Sequence, residues 1–316
     1  MIKHKRKIFC LMGPTAAGKT GLAMELIKRL PLEIISVDSG MVYRGMDVGT
    51  AKPTVDQLQS APHHLIDICD PKESYSAGQF RSDALEKIQE IFAKGRAPLL
   101  VGGTMLYFRV LLQGISDLPK SDELVRKKIR LEKEQYGLDA LYSRLQKIDS
   151  KAALRISKTD SQRIQRALEV YELTGKSLSE LQAISPPDVL PYEVVNIVLA
   201  PKDIYFLWHK IEERFKEMVK QGFVDEVRRL YAGGDLHLDL PSMRTVGYRQ
   251  IWQYLSGQIS HEEMLRLVPI ATRQLAKRQL TWLRRWDDAQ WFESDDPMLI
   301  SQVMILLGDF CKDQSC

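Results

Sequence analysis

One eight-residue stretch near the N-terminus constrains the fold of this chain more than any other feature. Residues Gly13 to Thr20 read GPTAAGKT, which matches the phosphate-loop pattern G-x-x-x-x-G-K-[ST] at every position. The apolar run Ile8 to Met12 precedes the loop, and a segment with helical leucine spacing, Gly18 to Leu30, follows it. A strand, a glycine-rich turn and a helix in this order predict an α/β fold, with a P-loop-type parallel sheet flanked by helices.

The residues of this loop have the chemistry that binds a chain of phosphates. Glycines let the backbone wrap an anion, and the N–H groups and dipole of the following helix attract its oxygens. Lys19 is expected to neutralise phosphate charge, and the Thr20 hydroxyl is a candidate ligand for Mg²⁺. The candidate diphosphate-binding residues are Gly13, Pro14, Thr15, Ala16, Ala17, Gly18, Lys19 and Thr20. The loop predicts a polyphosphate ligand without identifying a nucleotide; an empty glycine-rich turn is the disfavoured alternative.

A carboxylate follows the second predicted strand, Leu32 to Val37, as Asp38. Many P-loop enzymes that hydrolyse nucleotides hold Mg²⁺ with an Asp after a later strand. Here the strand Pro98 to Val101 is followed instead by Gly-Gly-Thr. Strand ends beside a phosphate loop line the ligand crevice, so Asp38 is placed to accept a proton from an incoming nucleophile. A turn or helix cap is an equally good interpretation of Asp38.

Two further residues are candidates for phosphate contact. Thr104 lies between the Gly-Gly turn and a predicted helix, Met105 to Leu112, so its hydroxyl could donate to a phosphate or simply cap the helix. Arg214 lies beside the apolar face that Trp208, Ile211 and Phe215 form on another predicted helix. Its position allows either a phosphate contact or plain exposure to solvent.

Strand and helix patterns alternate along the first third of the chain and then give way to helical patterns alone. The other predicted elements are a third strand (His64 to Ile68), a helix (Ser76 to Lys94), a strand (Val194 to Leu199) and a helical region (Ile204 to Trp286). We therefore predict three parts: the first part of a P-loop core at 1–119, a helical insertion at 120–191, and core completion with a basic helical region at 192–316.

Composition limits the classes of function without choosing among them. The chain has 316 residues, 44% hydrophobic and 27% charged, which is typical of globular proteins. Its net charge of +4 permits a nucleic-acid partner but does not predict one. The 4 cysteines form no Cys-x-x-Cys pair, and the apolar run before the loop is too short for a signal peptide or a membrane span. We therefore expect a cytoplasmic protein with no membrane contact, and we take a monomer as the default oligomeric state.

Two segments carry charge in patterns that suit an RNA partner. In the first, Gln162, Gln165 and Arg166 share a helix face, with Thr159 and Gln162 predicted as a capping box. The second, Glu262 to Trp286, has a stripe of basic residues at helical spacing, with tryptophans between them. A solvated helix face is the alternative for both segments, and for the first it is the commoner outcome.

Taken together, the motifs resemble those of bacterial tRNA dimethylallyltransferases, also called tRNA isopentenyltransferases. The matching stretches run in family order along the chain: GPTAAGKT (13–20), DSGMVYRGMDVGTAKP (38–53), PHHLID (62–67), YSAGQF (75–80), GGTMLY (102–107), QRIQRALEVYELTGK (162–176), RTVGYRQ (244–250) and TRQLAKRQLTWLRRW (272–286). Two departures are Ala17, where many members have Ser, and Met41, where many have Gln.

The resemblance implies a specific reaction. Such enzymes transfer a dimethylallyl group from dimethylallyl diphosphate to N6 of the adenosine 3′ of the anticodon, position 37 of the tRNA. Diphosphate leaves, and Mg²⁺ assists. Asp38 then resembles the group that accepts the N6 proton, while Thr104, Arg214 and Lys19 resemble the diphosphate clamp and Thr20 a contact to Mg²⁺.

The resemblance also implies which residues face the anticodon stem-loop. They are Asp38, Ser39, Gly40, Met41, Thr104, Arg126, Gln162, Arg163, Ile164, Gln165, Arg166, Arg244, Thr245, Val246, Gly247, Tyr248, Arg249, Lys277, Arg278, Gln279, Trp282 and Arg284. Two other functions fit the phosphate loop alone. One is a small-molecule kinase that uses ATP, which would not need the basic helix. The other is an RNA-binding protein switched by a nucleotide, which would leave Asp38 without a role.

Overall fold

A parallel sheet carries the phosphate loop at the end of one of its central strands. The protein is described by a computed structural model that covers residues 6–116, 118–184 and 190–312. Among these residues six strands pair in parallel in the order β3-β2-β4-β1-β5-β6. The strands are β1 (Lys7–Met12), β2 (Leu32–Val37), β3 (His63–His64), β4 (Ala97–Gly102), β5 (Glu193–Ala200) and β6 (Ala289–Glu293). Because β1 lies between β4 and β5, the loop after β1 opens beside the ends of two other strands.

Helices connect and cover these strands, as the alternating pattern predicts. The helices of the described residues are α1 (Lys19–Ile27), α2 (Val55–Ser60), α3 (Ala77–Ala93), α4 (Met105–Gln113), α5 (Glu123–Ile148), α6 (Ser150–Arg155), α7 (Ser161–Thr174), α8 (Leu178–Ile184), α9 (Ile204–Lys220), α10 (Phe223–Ala232), α11 (Tyr248–Leu255), α12 (His261–Leu283) and α13 (Leu299–Lys312). Gly137 interrupts α5 with a backbone φ of 82°. The sequence patterns predicted neither β6 nor α13.

Three local predictions were wrong in detail. The predicted strand His64 to Ile68 is only the two-residue β3, because Leu65 and Asp67 have positive φ angles of 64° and 57° that turn the chain away from the sheet. The helix predicted from Gly18 begins at Lys19, since Gly18 is left-handed. The predicted capping box of Thr159 is absent: Asp160 caps α7 and accepts the N–H of Arg163.

The chain forms two compact units. One comprises Met1–Leu111 with Pro191–Cys316, and the other is Leu112–Leu190. The first unit has two apolar cores. One includes Phe9, Leu11, Leu26, Ile34, Leu99 and Ile197 around the sheet, and the other includes Tyr43, Phe215, Phe223, Tyr248, Ile251 and Val268 among α9–α12. Burial of these side chains fixes α9 and α12 relative to the strand ends.

The second unit is helical and has a core of its own, which includes Ile129, Leu141, Leu145, Ile164 and Leu168. It begins earlier than the predicted residue 120. Within it, Pro119 accepts a hydrogen bond from Arg166, and the N–H of Asp122 donates to Glu169, so the segment before α5 is tied to α7. In the part of the chain that the structure covers, no helix has the length and apolarity needed to span a membrane.

Candidate active site

The phosphate loop has the shape that its glycines require. A Cβ at Gly13 would lie 2.3 Å from the carbonyl oxygen of Leu199 on β5, so only glycine fits there. Gly18 precedes α1 with a φ of 86° and offers no side-chain cap. The first N–H groups of α1 therefore keep no helical partner and no cap, which leaves them available to an anion.

A single cavity of about 730 Å³ joins the loop to the other predicted catalytic residues. Its size is within the usual range for a ligand pocket, roughly 300–1,000 Å³. The polar lining includes Thr15, Lys19, Thr20, Asp38, Thr104 and Arg214. The apolar lining includes Phe215, Met218, Phe223, Val268 and Leu275. The cavity can therefore take a ligand that has both an anionic and a hydrocarbon part.

Lys19 and Arg214 make this cavity electropositive. The Lys19 ammonium donates to the carbonyl oxygens of Gly13 and Pro14 at 2.9 and 2.8 Å. Burial lowers the pKa of Lys19 to about 8; nearby Asp38 opposes this shift, and the Arg214 cation adds to it. Burial also lowers the pKa of Arg214, again against the attraction of Asp38. Two confined cations face one carboxylate, so an added anion would be stabilised here.

Asp38 and Thr104 are joined through the turn that follows β2. One carboxylate oxygen of Asp38 accepts the N–H groups of Gly40 and Met41 at 2.8 and 3.2 Å. The Thr104 hydroxyl accepts the N–H of Ser39 at 3.0 Å. Asp38 therefore does cap a turn, with Oδ1. Its Oδ2 accepts no hydrogen bond from the described residues, so the turn and proton-acceptor interpretations are compatible.

Gln279 forms hydrogen bonds to two loops that line the cavity. It is buried on α12; its side-chain oxygen accepts the N–H of Thr15 at 2.8 Å, and its amide nitrogen donates to the carbonyl of Gly103 at 2.9 Å. A Cβ at Gly103 would lie 2.4 Å from that nitrogen. Both ends of the Gln279 amide are thus bonded inside the protein, although the side chain also lines the cavity, and its contact with RNA stays a prediction.

Two other predicted RNA contacts are also buried. Ile164 is completely covered in the core of the helical unit. Tyr248 is completely covered in the first unit, where its hydroxyl donates to Glu226 at 2.5 Å and burial raises its pKa. Neither side chain is available to a partner at the surface, so both predictions were wrong for the side chains.

Two of the predicted RNA residues of the helical unit, Arg126 and Arg166, form ion pairs with a buried acid. Glu169 is fully buried and accepts from Arg126 at 3.0 Å and from Arg166 at 2.8 Å. Gln162 and Arg163 are exposed, while Gln165 is half-buried. Sequence patterns did not identify Glu169, which sets the positions of the two arginines.

The basic stripe of α12 is partly neutralised. Arg273 forms an ion pair with Glu212, and Arg266 lies 3.8 Å from Glu263. The Lys277 ammonium lies 5.0 Å from the ring centre of Trp208 but stays exposed. Fewer exposed cations therefore remain for a partner than the sequence of this helix suggests. The predicted ones are Lys277 and Arg278 on α12 and Arg284 at its C-cap.

The remaining predicted residues fall into two groups. The group that lines the cavity is Ala16, Ala17, Gly18, Ser39, Gly40, Met41, Thr245, Val246, Gly247, Arg278 and Trp282. Arg244 and Arg249 lie outside that lining and are exposed, with Arg244 3.3 Å from Asp239. Within the described ranges no group of three or more His, Cys, Asp or Glu side chains could hold a metal ion.

Comparison with known proteins identifies the family of this chain. Residues 41–286 match the family model described as IPP transferase. A tRNA dimethylallyltransferase of Coxiella burnetii (strain Dugway 5J108-111) is 59% identical over 94% of this chain and 96% of its own length. The crystal structure of a tRNA isopentenylpyrophosphate transferase from Bacillus halodurans is 38% identical, with a TM-score of 0.71 and 98% coverage of both chains.

A third relative extends the likeness to eukaryotes. The crystal structure of a eukaryotic dimethylallyltransferase acting on tRNA has a TM-score of 0.84 and 25% identity, covering 98% of this chain and 80% of its own. The fold, the cavity and the matched residues lead to one conclusion: this chain belongs to the IPP transferase family.

Proposed function

We propose that this chain transfers a dimethylallyl group from dimethylallyl diphosphate to N6 of the adenosine 3′ of the anticodon in tRNA. The observation that carries the proposal is the single cavity that contains the phosphate loop, Asp38, Arg214 and an apolar wall. The names of the relatives supply the two substrates. A kinase is not favoured, because these relatives are transferases of prenyl groups.

The diphosphate is assigned to the phosphate loop. The N–H groups at the start of α1 and the cations of Lys19 and Arg214 stabilise the negative charge that grows on the leaving oxygen as the C–O bond breaks. Thr104 lies at the next strand end, where its hydroxyl, which donates to the Ser39 hydroxyl at 3.3 Å, can turn to donate to the leaving group instead. The apolar lining receives the five-carbon chain and keeps water away from the electrophilic carbon.

The nucleophile is the adenine N6 amine, and Asp38 is assigned as its proton acceptor. Oδ1 of Asp38 is held by the turn, which orients the carboxylate and leaves Oδ2 for the amine. As the N6–C bond forms and the C–O bond breaks, the amine loses one proton to Asp38 and diphosphate departs. The products are N6-dimethylallyladenosine and diphosphate.

Mg²⁺ fits this donor set as a partner of the diphosphate. Mg²⁺ prefers oxygen ligands and binds substrate phosphates together with few protein groups. The Thr20 hydroxyl lines the cavity, and the described residues offer no acidic cluster. Thr20 and the phosphate oxygens would thus hold the ion, whose charge would help neutralise the leaving diphosphate.

The tRNA is assigned to exposed cations on both units, with the anticodon stem-loop as the bound part. Candidate contacts that remain exposed are Gln162, Arg163, Arg244, Arg249, Lys277, Arg278 and Arg284. Arg126 and Arg166 are about one-third exposed beside Glu169. We propose that the enzyme acts as a monomer. Because its proposed substrate is a tRNA, we also propose the cytoplasmic location that was predicted from the sequence.

The test is transfer of radiolabel from dimethylallyl diphosphate to unmodified tRNA in the presence of Mg²⁺. A parallel reaction contains γ-labelled ATP and free nucleosides. We expect label in tRNA from the prenyl donor, and its loss when the adenosine 3′ of the anticodon is replaced by guanosine. Label only from ATP would overturn the proposal in favour of a kinase, and label that survives the adenosine replacement would overturn the assigned target.

A further inference from the structure

Glu226 on α10 is a buried carboxylate that the proposed chemistry does not use. It is 2% exposed, and no Lys, Arg or His of the described residues forms an ion pair with it. Its oxygens instead accept the N–H groups of Asp47, Val48 and Gly49 at 2.9, 2.7 and 3.1 Å. The Tyr248 hydroxyl adds a fourth hydrogen bond at 2.5 Å. Four donors compensate the cost of burying the acid, and in return three consecutive N–H groups are fixed.

The segment 47–49, which Glu226 holds, packs closely against two aromatic rings. A Cβ at Gly49 would lie 2.1 Å from the Phe223 ring and 2.5 Å from the Tyr248 ring. A Cβ at Gly247 would lie 2.7 Å from Phe223. Gly49, Phe223 and Gly247 all line the cavity. The hydrogen bonds of Glu226 therefore act on a wall of the site, although Glu226 itself is not part of the lining.

Thr50 connects this wall to Asp38. Its hydroxyl donates to the carbonyl of Met46 at 2.6 Å, which fixes the side chain. Its methyl group lies against Gly40, where an added Cβ would be 3.0 Å away. The N–H of Gly40 in turn donates to Asp38 Oδ1 at 2.8 Å. A displaced 47–50 segment would thus release the turn that orients Asp38.

We propose that Glu226 is a positioning residue for the transfer reaction: it holds residues 47–50 so that Thr50 supports the turn carrying Asp38. This role rests on the proposed function, since it concerns the acid that accepts the N6 proton. It predicts a defect in turnover that is separate from diphosphate binding, because the phosphate loop is formed by other contacts.

The test uses Glu226→Gln, Thr50→Ser and the pair combined. The Gln amide offers one acceptor oxygen in place of two, so N–H groups of the 47–49 segment lose their partner. Thr50→Ser keeps the hydroxyl but removes the methyl group that touches Gly40. Asp225→Asn is the matched control, because it removes an exposed neighbouring carboxylate from the same helix.

We expect Glu226→Gln to lower kcat at least tenfold and Thr50→Ser to lower it about threefold, with less than a twofold change in the Kd of Mg-pyrophosphate. The double variant should fall no further than Glu226→Gln alone, because both changes act on one path. Asp225→Asn should behave as the unchanged enzyme. If Glu226→Gln does not fold, Thr50→Ser alone tests the proposal: its kcat should fall while its Kd for Mg-pyrophosphate changes less than twofold.

Three results would overturn the role of Glu226. They are wild-type kcat in Thr50→Ser, fully additive losses in the double variant, or an equal loss of kcat and pyrophosphate affinity in Glu226→Gln. If the wild-type enzyme transfers no label from dimethylallyl diphosphate to tRNA, the proposed function is overturned, and this role with it. The two failures are therefore distinguished by the wild-type reaction.

Discussion

The side-chain oxygen of Gln279 accepts a 2.8 Å hydrogen bond from the N–H of Thr15, 264 residues away in the chain. The other end of the same amide donates to the carbonyl oxygen of Gly103. One side chain of α12 therefore connects the loop after β1 to the turn after β4. The phosphate loop of this enzyme is supported from outside its own strand–turn–helix unit.

Replacing Gln279 by Leu should weaken diphosphate binding. The change removes both hydrogen bonds while roughly keeping the volume, and a buried polar group left unpaired costs about 1–3 kcal/mol. We expect the KM for dimethylallyl diphosphate to rise about tenfold. Steady-state kinetics with saturating tRNA measure this. Gln274→Ala is the control, since Gln274 is exposed on the same helix. An unchanged KM would contradict the bracing role.

Replacing Asp38 by Asn should slow turnover strongly and preserve the affinity for tRNA. Asn keeps an oxygen for the N–H groups of Gly40 and Met41 but cannot accept the N6 proton. General-base catalysis contributes roughly 10²–10⁴-fold, so single-turnover transfer should slow by about that factor. Filter binding of tRNA should stay within about twofold of the unchanged enzyme. A variant that retains a tenth of the activity would exclude Asp38 as the proton acceptor.

Affinity for pyrophosphate should fall as the pH rises through about 8. Burial lowers the pKa of Lys19 to about 8, and only the protonated amine attracts the anion. Binding is therefore strongest below that pH and weakens by up to about tenfold per pH unit above it. Isothermal titration calorimetry between pH 6.5 and 9.5 measures the trend. In the control variant Lys19→Met, only pyrophosphate itself titrates. If the affinity of this variant depends on pH in the same way as that of the wild-type enzyme, the prediction is contradicted.

Glu169→Gln should destabilise the helical unit. It leaves Arg126 and Arg166 without the charge that both now share, and removing one partner of a buried ion pair costs about 3–5 kcal/mol. Both arginines are partly exposed, so we expect the lower end, about 3 kcal/mol, in urea unfolding. Glu134→Gln, at an exposed position of α5, should change the free energy of unfolding by less than about 0.5 kcal/mol. Equal effects of the two variants would exclude a structural role for Glu169.

The exposed cations of α12 should contribute to tRNA affinity through phosphates. Alanine substitution of Lys277, Arg278 or Arg284 should reduce the slope of log Kd against log salt by about one for each phosphate that the variant no longer binds. Arg266→Ala is the comparison, because Arg266 lies beside Glu263. An unchanged slope in all three variants would mean that this helix face is only solvated.

The sequence predicted best those parts of the site whose residues lie close together in the chain. The phosphate loop and Asp38 were found because a loop pattern and a strand end are local signals. Gln279 and Glu226 were not assigned their roles, since the backbone groups that they bind are 176 and 264 residues away from Gln279 and 177–179 residues away from Glu226. Periodicity placed Ile164 on the inner helix face, but the family resemblance added it to the RNA contacts. The ionic partners of Arg126 and Arg273 depend on tertiary packing, which charge spacing does not report.

The two hydrogen bonds that Lys19 donates to the carbonyl oxygens of Gly13 and Pro14 hold its ammonium group against the loop. An ammonium group has three N–H donors, so one remains for an anion. The cation is therefore oriented before a ligand binds, and a diphosphate, which presents several oxygens, can meet the ammonium and the helix N–H groups at once. Binding of such an anion then requires little reordering of this side chain.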